Sequence, residues 1–284
     1  MKLAYHSSTA MKSDLRTDIL SSAKAGFKGL ELKDHKIDEF LKDHSLLDLK
    51  ALLRSNHIEP IAINSLEFIA FQGEKYQRVK DYCQKYSEIA SEIQCPAMVV
   101  VPGPTPRFID GQEVLDFPWN RLVAEYVTVL QELSDIAKPY GINLAFEFLG
   151  YGWCSVRTPR GAYEIILETA RQNVGMNFDS CHFYAGGGLL SEMDQINPKK
   201  LNAFHINDLE NVPKEAVTDS KRLMPGSGII PLRDICSKLS QIGYNGVCTV
   251  ELFRPEYWEW DPDELAKKCY ESAVKVASPY FSLE

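Results

Sequence analysis

The sequence predicts a single (β/α)8 barrel spanning residues 1–284, and three observations predict it. Short apolar runs alternate with amphipathic stretches from one end of the chain to the other. The units recur at roughly thirty residues, and eight of them fit a 284-residue chain, since such barrels take about 250 residues. No shift in composition marks a linker between two smaller domains. A doubly wound open sheet is the competing architecture. It would be favoured by a GxGxxG run after the first strand, and Ser7-Ser-Thr-Ala-Met-Lys12 carries none.

The strands are expected at Leu3–Ser7, Gly29–Leu32, Pro60–Ser65, Ala97–Pro102, Asn143–Phe148, Val174–Phe178, Ala203–Asn207 and Val247–Phe253. Each is short and rich in Val, Ile, Leu, Phe or Ala, and several follow a glycine turn cue at Gly26, Gly141 or Gly243. Helical spacing of apolar residues appears at Thr17–Lys24, Glu74–Ile93, Asn120–Lys138, Thr158–Ala170, Leu232–Gln241 and Asp263–Val276.

Composition narrows the function classes. A hydrophobic content of 45% with 25% charged residues is that of an ordinary globular protein. No run of eighteen apolar residues offers a membrane span, and Met1-Lys-Leu-Ala-Tyr-His-Ser-Ser8 lacks the long apolar core of a signal peptide, so a cytoplasmic chain is expected. Cys83, Cys95, Cys154, Cys181, Cys236, Cys248 and Cys269 form no CxxC pair and read as free thiols in a reducing compartment. A net charge of −8 opposes sequence-independent nucleic-acid binding. A small polyol or sugar stays open as substrate.

In a barrel of this kind chemistry gathers at the C-terminal ends of the strands. The last four expected strands each place a metal-ligand residue type there: Glu147 in Leu-Ala-Phe-Glu-Phe, Asp179 in Met-Asn-Phe-Asp-Ser, His205 in Asn-Ala-Phe-His-Ile and Glu251 in Thr-Val-Glu-Leu. A buried carboxylate is costly unless paired. Taken singly, each could pair with Arg157, Arg222 or Arg254, and a lone His205 reads more readily as a hydrogen-bonded core histidine. Together they point to a divalent cation, which offsets the desolvation of all three carboxylates and suits a mixed oxygen and nitrogen donor set. The donor types fit Mn2+, Mg2+, Co2+ or Zn2+ without choosing among them.

Other residues fill in a pocket. His182, three residues beyond Asp179, is placed to hydrogen-bond a substrate oxygen, or else lies on a surface loop. Arg222, just before Pro225-Gly-Ser-Gly228, reads as lying on a turn that brings a cation toward the mouth, with a plain structural turn nearly as good a reading. Trp153, Phe183, Trp258 and Trp260 are candidates for an apolar wall, with a homo-oligomer contact an equal reading for Trp258 and Trp260. Glu31 and Lys33, near the end of the second strand, are ambiguous.

The set Ala-Phe-Glu147-Phe, Phe-Asp179-Ser-Cys-His182-Phe, His205-Ile-Asn-Asp208, Pro225-Gly-Ser-Gly228 and Val-Glu251-Leu-Phe-Arg-Pro-Glu-Tyr resembles the xylose-isomerase-like TIM-barrel superfamily. Within it the likeness is strongest to the inosose isomerases (2-keto-myo-inositol isomerases), and it runs over essentially the whole chain. His6 is a departure from it, another polar residue being expected at the first strand end. The resemblance implies one divalent metal ion held by Glu147, Asp179, His205 and Glu251, with His182 and Arg222 facing the substrate. It further implies an isomerase that moves the ketone of a cyclic polyol to a neighbouring ring carbon, through an enediolate. Glu147 and Glu251 would then also be the acid and base. Inosose dehydratase and keto-sugar 3-epimerase chemistry are the alternatives on the same scaffold. Phosphodiester cleavage, which needs a multinuclear zinc cluster with further histidine ligands and a DNA-binding surface that six histidines and a net charge of −8 oppose, and a non-enzymatic sugar-binding barrel are remoter ones.

Overall fold

The alternation of apolar runs resolves, in the computed structural model describing residues 1–109 and 111–284, into eight parallel strands closed as a barrel. These are β1 (Lys2–His6), β2 (Gly29–Lys33), β3 (Glu59–Leu66), β4 (Ala97–Val100), β5 (Asn143–Glu147), β6 (Val174–Asp179), β7 (Leu201–Ile206) and β8 (Val247–Val250). Each pairs with its neighbours in chain order, and β8 closes onto β1 from Lys2↔Val247 to Tyr5↔Val250. The major helices are α1 (Leu15–Ala25), α2 (Asp34–Phe40), α3 (Leu46–Ser55), α4 (Tyr76–Ile93), α5 (Trp119–Ala137), α6 (Pro159–Thr169), α7 (Ser180–Gly186), α8 (Leu232–Gln241) and α9 (Pro262–Ala277).

Alternation along each strand divides the core in two. In β5, Leu144 and Phe146 join the large apolar layer beneath the helices, whereas Ala145 packs with Ala62, Ala97, Val99 and Val101 in a smaller cluster. Glu147 shares the parity of Ala145, and by the same alternation Asn177, Asp179, His205 and Thr249 fall on the inner column. Local signals set the helix ends. Asp14 caps α1 by accepting from the Thr17 amide at 2.7 Å, and α1 ends at Gly26 with φ 108°, a conformation that favours glycine. Ser45 and Asp48 cap α3 reciprocally.

Three differences from the sequence reading matter for the site. The last strand ends at Val250, not Phe253, because the Leu252 amide leaves the ladder and donates to the Thr9 hydroxyl at 3.0 Å. Glu251 is therefore the first residue beyond β8. Helices α2, α3 and α7 were not expected; α2 and α7 have seven residues each, too few to display a helical period. Finally, Arg222 lies in a short antiparallel ribbon, Arg222–Leu223 against Asp208–Leu209, and not in a simple turn.

Candidate active site

The barrel register assembles the site. Asp179 and His205 are partners across β6 and β7, Glu147 lies opposite Asn177 across β5 and β6, and His6 lies opposite Glu31 across β1 and β2. Glu147, Asp179, His205 and Glu251 are all buried, and each offers a donor atom within 4.8 Å of the others. His205 Nδ1 is 3.1 Å from Glu251 Oε2 and 3.2 Å from Glu147 Oε1. Asp179 has a second task. One of its oxygens caps α7 by accepting from the His182 amide at 2.7 Å, and the other accepts from Asn207 at 2.7 Å.

Arg222, fully buried, bridges the cluster: Nη1 donates to Asp179 at 2.9 Å and to Glu251 at 2.7 Å. Its Nη2 lies 3.0 Å from Asp219 and 3.1 Å from His182 Nε2. A guanidinium can only donate, so His182 Nε2 is the acceptor and its Nδ1 carries the proton of the neutral ring. Among the described residues, that Nδ1 has no protein partner. Burial lowers the His182 pKa from its usual value and keeps the ring neutral. The ribbon that carries Arg222 is fixed by Asp208, whose carboxylate accepts from the amides of Gly228 and Ile230 at 2.8 and 2.9 Å. A Cβ on Gly228 would stand 2.1 Å from the Leu209 carbonyl oxygen, which is why glycine fits there.

The two glutamates differ. Burial pushes Glu147 up to about 7, with His205 only partly opposing it, and its Oε1 has no hydrogen-bond partner. Burial also opposes the charge on Glu251, but His205, Arg222 and His6 outweigh it and hold that carboxyl well below the usual range. For His205, burial is outweighed by Glu251, Glu31 and Glu147, which raise its pKa well above that of a free imidazole. These values describe a pocket of carboxylates sharing too few cations. A partnerless oxygen on a buried glutamate beside two more carboxylates and an imidazole nitrogen fits a divalent ion, whose charge would satisfy all four donors together.

Above the cluster opens a cavity of about 200 Å3, lined by Glu147, His182, Arg222 and Glu251 together with Phe68, Tyr151, Trp153 and Phe253. Trp153 thus takes the expected wall position, stacked on Tyr151 and edge-on to Phe68. Phe183, Trp258 and Trp260 do not line this cavity. Phe183 is buried against Phe178, and Trp258 is tied down by an indole hydrogen bond to the Ser8 carbonyl at 3.2 Å. His182 occupies the first turn of α7, so the surface-loop reading does not hold.

Sequence reasoning left two buried residues unassigned. Glu31 lies 2.9 Å from His205 Nε2, and His6 Nε2 lies 3.3 Å from Glu251 Oε1. The signal was present in Gly29-Leu-Glu-Leu-Lys33, where a carboxylate again interrupts an apolar strand. Burial lowers His6 to about 4 and keeps that ring neutral near pH 7.

A family model described as xylose isomerase-like TIM barrel matches residues 20–271. The inosose isomerase of Bacillus velezensis is 39% identical over 287 residues, covering 100% of both chains. The inosose isomerase of Bacillus subtilis is 37% identical over 286 residues, again covering 100% of both. The IOLI protein, whose crystal structure holds a binding zinc atom, superposes with a TM-score of 0.93 at 36% identity, over 99% of this chain and 100% of that one. The chain belongs to the xylose isomerase-like TIM barrel family.

Proposed function

We propose that the protein is an inosose isomerase, which moves the ketone of a cyclic polyol to a neighbouring ring carbon by proton transfer. The observation that carries this reading is the end-to-end likeness to inosose isomerases; the convergence of Glu147, Asp179, His205 and Glu251 beneath an open mouth fits it. We read residues 1–284 as one barrel domain and the substrate as a small polyol. Among the described residues, no helix is long and apolar enough to cross a membrane.

Glu147, Asp179, His205 and Glu251 would hold one divalent ion, of the Mn2+, Mg2+, Co2+ or Zn2+ group, and that ion supplies Lewis acidity toward the substrate's carbonyl and adjacent hydroxyl. The protein's own groups do the rest. Glu147 and Glu251, both lining the cavity above the cluster, supply the acid and the base. A proton leaves the hydroxyl-bearing carbon and one returns to the former carbonyl carbon, while the hydroxyl proton passes to the other oxygen. Negative charge on the substrate oxygens in between is met by Arg222 and by the free Nδ1–H of His182. The rings of Phe68, Tyr151, Trp153 and Phe253 offer apolar surface to the C–H face of a polyol and exclude water from it.

The test is a product assay by NMR, with inososes and ketohexoses offered separately to the metal-loaded protein. A second inosose is expected. An unsaturated product formed by loss of water, or C3 epimers formed from ketohexoses alone, would reassign the scaffold to a dehydratase or an epimerase.

A further inference from the structure

Beside the four donors stands a second group of buried side chains, Glu31, Asn64, Asn177 and His6, linked to the cluster by short polar contacts. We propose that Glu31 is a positioning residue that holds the His205 ring in a single tautomer and orientation, with Nδ1 bare toward Glu147 and Glu251. This rests on the reading of those residues and Asp179 as metal ligands.

A neutral imidazole has one N–H and one lone pair, and the partner of one nitrogen decides the state of the other. Glu31 Oε2 lies 2.9 Å from His205 Nε2, so with a cation on the Nδ1 side the carboxylate accepts the Nε2 proton and leaves the Nδ1 lone pair to that cation. Nδ1 is the nitrogen that faces Glu147 and Glu251, at 3.2 and 3.1 Å. Glu31 is itself fixed: the Asn64 amide donates to its other oxygen at 3.1 Å. The Asn177 amide lies 2.8 Å from the same Nε2, and its oxygen has no other partner. The two amide orientations fill the same space; turning the oxygen toward the ring gives up the 3.4 Å contact of the amide nitrogen with Glu147 Oε2 and makes Asn177 a second acceptor for the Nε2 proton.

His6, Glu31 and Glu251 also bring donor-type atoms within 4.8 Å of one another, which raises the question of a second cation. The backbone decides against one. The Ser8 amide donates to His6 Nδ1 at 3.0 Å, so in the neutral ring Nε2 carries the proton and has no lone pair to offer a metal. Nε2 lies 3.3 and 3.6 Å from Glu251 Oε1 and Glu31 Oε1 without a hydrogen bond to either. His6 thus offers no lone pair to a cation there, and Glu31 belongs to the support of His205.

Outer carboxylates of this kind are worth about ten- to a hundredfold in metal affinity. The test is competitive calorimetry of Zn2+ binding to chelator-stripped wild type, Glu31→Gln and Glu31→Ala, with NMR of 15N-labelled histidine in the zinc-loaded proteins. Wild type should bind one ion and show His205 with a protonated Nε2. Glu31→Ala should bind about ten- to a hundredfold more weakly and lose that single tautomer. The isosteric Glu31→Gln, whose side-chain oxygen still accepts the proton, should restore the tautomer and part of the affinity. A merely structural role would lower the melting temperature without changing the tautomer. Unchanged zinc affinity and an unchanged tautomer in Glu31→Ala would overturn the proposal alone. Failure of wild type to bind zinc would overturn the ligand assignment beneath it.

Discussion

The two ends of the barrel are built from the same strands and differ in almost every other respect. At the C-terminal end the inner column carries Glu31, Glu147, Asp179, His205 and Glu251, buried and crossed by hydrogen bonds and ion pairs from Arg222. At the N-terminal end the same column is small and, among the described residues, carries no carboxylate cluster, with Ala62, Ala97, Ala145 and Ala203 beside Asn143 and Asn177 around a cavity of about 630 Å3. Lys2 and Glu59 line that cavity as a neutralised ion pair. The lower cavity is about three times the volume of the upper one, yet the metal-ligand side chains converge beneath the smaller. Cavity size follows from side-chain volume, whereas function follows from which donors are forced together. Burying four carboxylates would be prohibitive without compensation, so the upper end is where the fold gives up stability for reactivity.

The largest contrast should come from exchanging one atom at the upper end. Glu251→Gln keeps the shape but removes the anion that meets His205, Arg222 and His6. Turnover should fall by at least about 10²–10⁴-fold while circular dichroism stays that of wild type. Activity near wild type would show that the upper cluster is not the catalytic one. Next in size is Gly228→Ala, which forces a Cβ to 2.1 Å from the Leu209 carbonyl oxygen beside the ribbon carrying Arg222. Overpacking of this kind costs about 1–3 kcal/mol, read as a lower melting temperature. A raised KM is expected with it, and an unchanged KM would mean that Arg222 does not depend on that turn.

The upper end should also respond to pH in a way the lower end cannot. In the metal-free protein Glu147 titrates at about 7, above its usual 4.5, because burial disfavours its charge. The folded state therefore binds more protons than the unfolded chain between these values, and this group's contribution to stability is lost as pH rises through that window. His205, also raised, adds to the loss further up. A bound cation needs both groups deprotonated, so metal affinity should fall as pH drops, first through the raised range of His205 and then below about 7, with protons released on binding. Calorimetry in buffers of different ionisation enthalpy measures that release; a pH-independent affinity without proton release would contradict it. The smallest effect belongs to the lower end. Ala203→Val adds volume to its cavity and should raise stability by about 0.5–2 kcal/mol while leaving turnover unchanged. A large loss of activity in this variant would break the division between the two ends.

Much of this division was legible in the sequence. A carboxylate or histidine at the end of an apolar run stands out because burial makes it costly, and that cost marked Glu147, Asp179, His205 and Glu251 before any coordinates. The eight strands were found within one to three residues of their ends, since short apolar runs ended by turns are read directly. Glu31 carried the same mark but lay near Lys33, Asp34 and Asp38, in a stretch where a surface ion pair explains a charge equally well. Nothing local distinguishes it; the closure that brings β2 within reach of β7 does. His6 was noticed only as a departure from the family pattern, because its hydrogen bond with the Ser8 amide depends on the turn after β1. The pocket-wall reading of Phe183, Trp258 and Trp260 failed for the opposite reason. Aromatic character gives no direction, and short helices after β6 and β8 turn these rings away from the mouth.

The most direct measurement is NMR of an inosose in D2O, with metal-stripped protein before and after one equivalent of Zn2+. A charged upper end acting as a single-ion proton-transfer site requires three things: no reaction before zinc, a second inosose after it, and deuterium at the carbon that receives the proton. Equal turnover without metal, or a product that strictly retains the substrate hydrogen, would contradict it.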